Sequence, residues 1–176
     1  MDFDTLADCD VKRTPGVETD SYWVCACDVV APFPQPPTSG PQGATMVITD
    51  DIILKPLKAW KKIRIIINSG ELKNEQKNSG FDQMFDFKTV TDENYDEWFN
   101  EHGSNPNPCM LVIVPQKDGK NRLMGHPTKG PVALINAKST QGLGTDTNAE
   151  WTGTLQASPG NVAYYYEGDI DLDPLT

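Results

Sequence analysis

The sequence predicts a mainly β fold: a β-sandwich or barrel with one flanking α-helix and long extended loops, built as a single domain over residues 1–176. Three observations predict it. Fourteen prolines and fourteen glycines cut 176 residues into short segments. Most of those segments alternate apolar and polar side chains with a period of two. Only Thr91–Gly103 spaces its aromatic residues as a helix does. With 38% hydrophobic and 23% charged residues the chain can bury a core. No internal repeat or linker divides it.

In chain order, Met1–Val17 reads as a polar N-terminal arm. Ser21–Val30 reads as a strand, with Tyr22, Val24, Ala26 and Asp28 on one face and Trp23, Cys25, Cys27 and Val29 on the other. The stretch 31–44 holds Pro32, Pro34, Pro36, Pro37 and Pro41 with Gly40 and Gly43, so it forms a long loop rather than a ladder. Thr45–Leu54 is a second strand, interrupted at Asp50-Asp51. Trp60–Asn68 is a third, with Ile63, Ile65 and Ile67 facing the core. Glu71–Asn78 is a polar strand that pairs back. Phe81–Val90 alternates over its whole length, with Phe81, Gln83, Phe85, Phe87 and Thr89 on one side.

The helix is capped by Thr91 or Asp92, carries Tyr95, Trp98 and Phe99 on one stripe, and stops at Gly103. Cys109–Pro115 is the most apolar strand. It turns through Asp118-Gly119 and returns as Asn121–Gly125. Pro131–Ala137 is another strand, and Lys138–Ala149 a second long polar loop. Glu150–Ala157 and Asn161–Gly168 close the fold as a hairpin around Ser158-Pro159-Gly160, followed by an acidic tail at 169–176.

The chemistry of catalysis is thinly represented. His102 and His126 are the two histidines. His102 falls at the helix C-terminus, where a cation is favoured, and His126 in a Gly-His-Pro turn. Neither stands in a nucleophile context. Gly142-Leu143-Gly144 lacks the third glycine and the Lys-Ser/Thr of a phosphate loop. Asp169, Asp171 and Asp173 lack the glycine and glutamate of a calcium loop. Cys25 and Cys27 form C-x-C, but Cys9 and Cys109 are isolated, so the thiols read as small buried hydrophobes rather than a zinc set. The expectation is no enzyme, no metal and no cofactor.

A net charge of −10 opposes specific nucleic-acid binding. The basic cluster Lys55, Lys58, Lys61, Lys62 and Arg64 reads as a solvated strand face. The first residues carry no basic and apolar leader, and no apolar run reaches the ~18 residues that cross a bilayer. The expectation is a chain made in the cytoplasm, with no membrane partner. Tyr164, Tyr165 and Tyr166 put rings on both faces of the last strand, one set for the core and one for an interface.

The run Asp50–Glu75 ("DDIILKPLKAWKKIRIIINSGELKNE") and the stretch Cys109–Gly168, which ends in "VAYYYEG", resemble the major tail (tail tube) proteins of long-tailed bacteriophages and prophages of Bacteroidota-type hosts. The resemblance covers most of the chain as a pattern of elements. It implies a virion structural protein, assembled in the bacterial cytoplasm, that forms homo-hexameric rings. The rings stack into a tube through which DNA passes as cargo. It further implies partners among the other tail proteins: a tape measure, a terminator and, in contractile tails, a sheath. Candidate subunit-interface residues are Pro34, Pro36, Pro37, Trp23, Tyr165, Gly142 and Gly144. Two other kinds of protein fit the same elements. One is another virion component, such as a tail terminator, a connector or a capsid decoration protein. The other is a carbohydrate-binding or adhesion module stacking sugars on Trp23, Trp60, Trp151 and the tyrosines.

Overall fold

The computed structural model describes residues 16–104, 109–141 and 149–173. Among these residues ten strands form two packed sheets, with one α-helix beside them: β1 (Asp20–Cys25), β2 (Val47–Ile48), β3 (Lys61–Arg64), β4 (Glu71–Lys77), β5 (Gly80–Val90), α1 (Glu93–Ser104), β6 (Met110–Pro115), β7 (Asn121–Met124), β8 (Ala133–Thr140), β9 (Glu150–Ala157) and β10 (Tyr164–Tyr166). The first sheet has the order β2-β10-β7-β6-β1-β3 and the second β4-β5-β9-β8. The expected sandwich with one helix is what forms.

The main core lies between the sheets. From the six-stranded sheet and its flanks come Ile63, Ile65, Met110, Val112, Val114 and Met124, and from the four-stranded sheet Phe85, Phe87, Leu134, Leu155 and Ala157. A second apolar cluster covers the opposite face of the six-stranded sheet: Val24, Leu111, Ile113, Leu123 and Tyr166 meet Ile52, Leu54 and Trp60. Strand β6 is therefore buried on both faces. This is why Met110–Val114 reads as an unbroken apolar run rather than an alternating one. The four-stranded sheet has one buried face, so β5 alternates as expected, with Gln83, Phe85, Phe87 and Thr89 all inside. Gln83 is buried but satisfied. Its Nε2 donates to the Asn161 carbonyl (2.9 Å), and its Oε1 accepts from the Gly125 N–H (2.7 Å).

The helix closes the inter-sheet core along one side. Phe99 stacks on Trp151 (4.4 Å) and Phe87 (6.1 Å), and Trp98 meets the edge of Trp23 (6.0 Å). Gly153 pairs opposite Phe87, and a Cβ there would lie 2.9 Å from that ring and 3.0 Å from Phe99. A glycine at this point lets the helix aromatics rest on the sheet. Asp92 is the N-cap, its Oδ1 accepting from the Tyr95 N–H at 2.8 Å. Asp92→Ala is expected to cost about 1 kcal/mol, read as a lower urea midpoint with an unchanged slope.

Several strands are shorter than expected. Strand β1 ends at Cys25, and a 3-10 turn follows over Ala26–Asp28. Of Thr45–Leu54 only Val47–Ile48 pairs as a strand, because Asp50-Asp51 ends the run. Of Trp60–Asn68 only Lys61–Arg64 pairs in a strand, so Ile67 lies past its end and is 69% exposed rather than in the core. Strand β8 starts later than expected and runs on to Thr140, into the segment expected as loop. The last hairpin does not form: β9 belongs to the four-stranded sheet and β10 to the six-stranded one, pairing with β2 and β7. Ser158-Pro159-Gly160 is thus a crossover between layers. Val17 is not part of a free arm. It bridges to Gln116 and is buried in the core. Gly16 is exposed, its carbonyl accepting from the Lys117 N–H at 3.3 Å, and residues 1–15 of the expected arm lie outside the described residues.

Candidate assembly interface

The sheet edges differ sharply between the layers. The six-stranded sheet ends in β2, two residues long, and β3, four residues long. The β3 edge is further blunted by Lys62 and Arg64, which pair with Asp20 of β1 at 3.3 and 3.8 Å. The four-stranded sheet ends in two long strands, β4 with seven residues and β8 with eight. Among the described residues each pairs with a strand on one side only. Residues Ile135–Thr140 of β8 are all exposed, on both faces of the strand. Such an edge is a row of open backbone donors and acceptors, a template for a further strand.

All pairings in this sheet are antiparallel, so β4 and β8 run in opposite directions. Strand β8 of one copy laid against β4 of a rotated copy continues the alternation. The two edges also differ chemically. Strand β4 alternates Glu71, Lys73, Glu75 and Lys77, whereas β8 carries one lysine, Lys138, and an exposed Ile135 at its bulge. A contact of that kind would be head to tail, the kind that closes into rings.

The outer face of the same sheet is polar. Register places Glu71, Lys73, Glu75 and Lys77 beside Asp82, Met84, Asp86 and Lys88, then Glu150, Thr152, Thr154 and Gln156. The charges are cross-linked. Lys73 reaches Asp86 at 2.8 Å, Lys88 reaches Glu150 at 2.7 Å, and Thr154 Oγ1 donates to Asp86 at 2.6 Å. Burial raises the Asp86 carboxyl while its bonds to Lys73 and Thr154 lower it, and the net direction is down. These residues of the face comprise five carboxylates, three lysines and no arginine. Much of the acidic excess lies elsewhere, on α1 with Glu93, Asp96, Glu97 and Glu101.

The expected interface residues are scattered. Trp23 is half-buried against α1, with the Lys61 ammonium 5.0 Å from its ring centre. Pro34 and Pro36 are half-buried and Pro37 exposed. Their loop folds back on its own chain, where Phe33 meets His126 edge-on (4.9 Å) and Gln35 Nε2 lies 3.3 Å from His126 Nε2. Tyr165 does point away from Tyr166, but Arg122 stacks on its ring at 3.6 Å, and Lys120 lies 5.3 Å from the ring centre. Gly142 and Gly144 lie outside the described residues. The β4 and β8 edges were missed in sequence. Neither carries a motif, and an open edge is defined only by what fails to pair with it.

The histidines and cysteines also depart from expectation. His102 lies in the last turn of the helix, as expected, but is buried there, 5.1 Å from Trp23 and 4.9 Å from Trp98. Burial lowers its pKa, outweighing Glu101, with Lys61 adding to the drop. The unfolded chain therefore takes up the proton first as pH falls. Stability is expected to drop as pH falls below the ordinary value of 6.5, by about 1.4 kcal/mol for each unit of depression. His102→Phe removes this acid sensitivity in urea midpoints compared above and below that pH. Cys27 is exposed, so it is not a core hydrophobe, whereas Cys25 and Cys109 are half-buried and Cys109 packs against the main core; Cys9 lies outside the described residues. Among the described residues no helix is long and apolar enough to cross a membrane. Comparison with protein-family models, curated proteins and solved structures finds no match for this chain.

Proposed function

We propose that the chain is a structural subunit that closes into rings through the β4 and β8 edges, and that the rings stack as the tail tube of a bacterial virus. One observation carries the reading: a four-stranded antiparallel sheet with two long, open, oppositely directed edges, whose outer face is polar. Ring closure satisfies both edges at once. The polar outer faces would then line a continuous barrel of four strands per copy, and DNA would slide past a surface without arginine clusters to hold it. The resemblance of the sequence to tail tube proteins supplies the hexameric expectation and the partners: a tape measure, a terminator and a sheath where the tail contracts.

A terminator or connector would use the same edges in a single ring, and stacking separates the two. The glycan-binding reading draws less support, because its aromatic platforms are engaged. Trp60 is 3% exposed, Trp151 stacks on Phe99 and donates to Asp96 at 2.6 Å, and Tyr165 is covered by Arg122. Sedimentation velocity over a rising concentration series tests the closure. A monomer giving way to one closed species, without a ladder of open intermediates, is expected. A monomer at every concentration overturns it.

A further inference from the structure

We propose that Cys25, Cys27 and Asp28 form a binding site for a thiophilic divalent cation, zinc in kind, independent of the assembly surface. Strand β1 ends at Cys25, and the 3-10 turn Ala26–Asp28 bends the chain back. The turn brings together what a continued strand would spread out. The Cys25 and Cys27 sulfurs and an Asp28 carboxylate oxygen all lie within 4.8 Å of one another, and Cys27 Sγ is 3.9 Å from Asp28 Oδ1. Ligands about 2.0–2.3 Å from a tetrahedral zinc are separated from each other by somewhat less than 4 Å. Closing the triad on an ion therefore needs small side-chain rotations at a half-exposed turn.

Three groups that become anions on deprotonation converge here. Hydrogen bonding with Cys25 raises the Cys27 thiol to about 11, with help from desolvation and the nearby carboxylate. The Lys55 charge offsets this only in part. Lys58 Nζ lies 3.5 Å from Asp28, and Lys55 Nζ donates to the Cys27 carbonyl at 2.6 Å rather than to a thiol. A divalent cation inverts the local balance and drives both thiols to thiolates. The exchange balances as one metal ion bound, two sulfur–metal bonds formed, two protons released, and Asp28 passed from Lys58 to the metal.

Cys25 and Asp28 line a cavity of about 560 Å³ together with Cys109 and His102. His102 is 8% exposed, and its Nε2 has no hydrogen-bond partner among the described residues. A buried nitrogen left unsatisfied on the wall of a cavity that Cys25 and Asp28 also line is a group that an ion or its bound water would satisfy. Two thiolates with a carboxylate favour zinc over magnesium or calcium, which take all-oxygen shells.

The test is titration of the full chain, stripped with a chelator, with cadmium as a spectroscopic probe and with zinc in competition. One ion per chain is expected, with an ultraviolet thiolate–cadmium band, release of two protons, and protection of two thiols from a thiol reagent. Cys27→Ser, at an exposed position, keeps the fold by circular dichroism. It is expected to weaken binding by no less than about 100-fold, the upper end of what loss of a mere supporting hydrogen bond to a ligand costs. Asp28→Asn weakens it less, and Cys109→Ala leaves it within a few-fold. Equal binding by wild type and Cys27→Ser, or loss of binding in Cys109→Ala with the fold intact, overturns the assignment.

Discussion

Phe87→Ala is expected to destabilise the fold by about 3–5 kcal/mol, the range for deleting a large aromatic from a packed core. Phe87 is 1% exposed and sits where the three parts of the main core meet. It stacks on Phe85 at 5.2 Å within β5, on Phe99 at 6.1 Å from α1, and meets Trp98 at 6.4 Å. Across the sheet it faces Gly153, which offers no side chain to collapse into the vacancy. The cavity would therefore stay largely open, which places the loss toward the upper end of that range. The urea midpoint should fall with the slope unchanged. A loss below about 1 kcal/mol would mean that the sheets can close over the gap and that the helix is not held as described.

Ile135→Asp is expected to leave the monomer folded and to abolish its assembly. Ile135 is 52% exposed at the bulge of β8, so its replacement removes little from the core of one copy. In the proposed ring the same position would meet the β4 edge of the next copy. There the change removes an apolar contact and buries a carboxylate. Together these cost about 3 kcal/mol per interface, or about 100-fold in affinity. Every subunit of a closed ring makes two such contacts, so the ring population should collapse in sedimentation while the thermal midpoint of the monomer holds. Assembly unchanged by Ile135→Asp would place the contact elsewhere on the molecule.

The parts of this fold legible in sequence are those where one local pattern decides the outcome. Strand β5 shows its buried face through Gln83, Phe85, Phe87 and Thr89, because its other face meets water. The helix announces itself through Asp92 and the Tyr95, Trp98, Phe99 stripe. What was not legible depends on long-range choices. Ser158-Pro159-Gly160 reverses the chain in either layer, and nothing local says that Tyr164–Tyr166 will pair with Val47–Ile48 rather than with β9. Periodicity marks Ile63, Ile65 and Ile67 alike but does not say that pairing stops at Arg64. The end of strand β8 hides in a polar stretch, since Lys138, Ser139 and Thr140 need no core to pair with β9. The cysteine cluster depends on a 3-10 turn that alternation alone reads as more strand.

The most direct measurement is negative-stain electron microscopy of the purified protein at high concentration, with Ile135→Asp beside it. Rings that stack into tubes with a narrow stained channel, absent from the variant, are the predicted result. A monodisperse monomer for the unaltered chain, or tubes that form equally well from Ile135→Asp, would contradict assembly through the open edges of the four-stranded sheet.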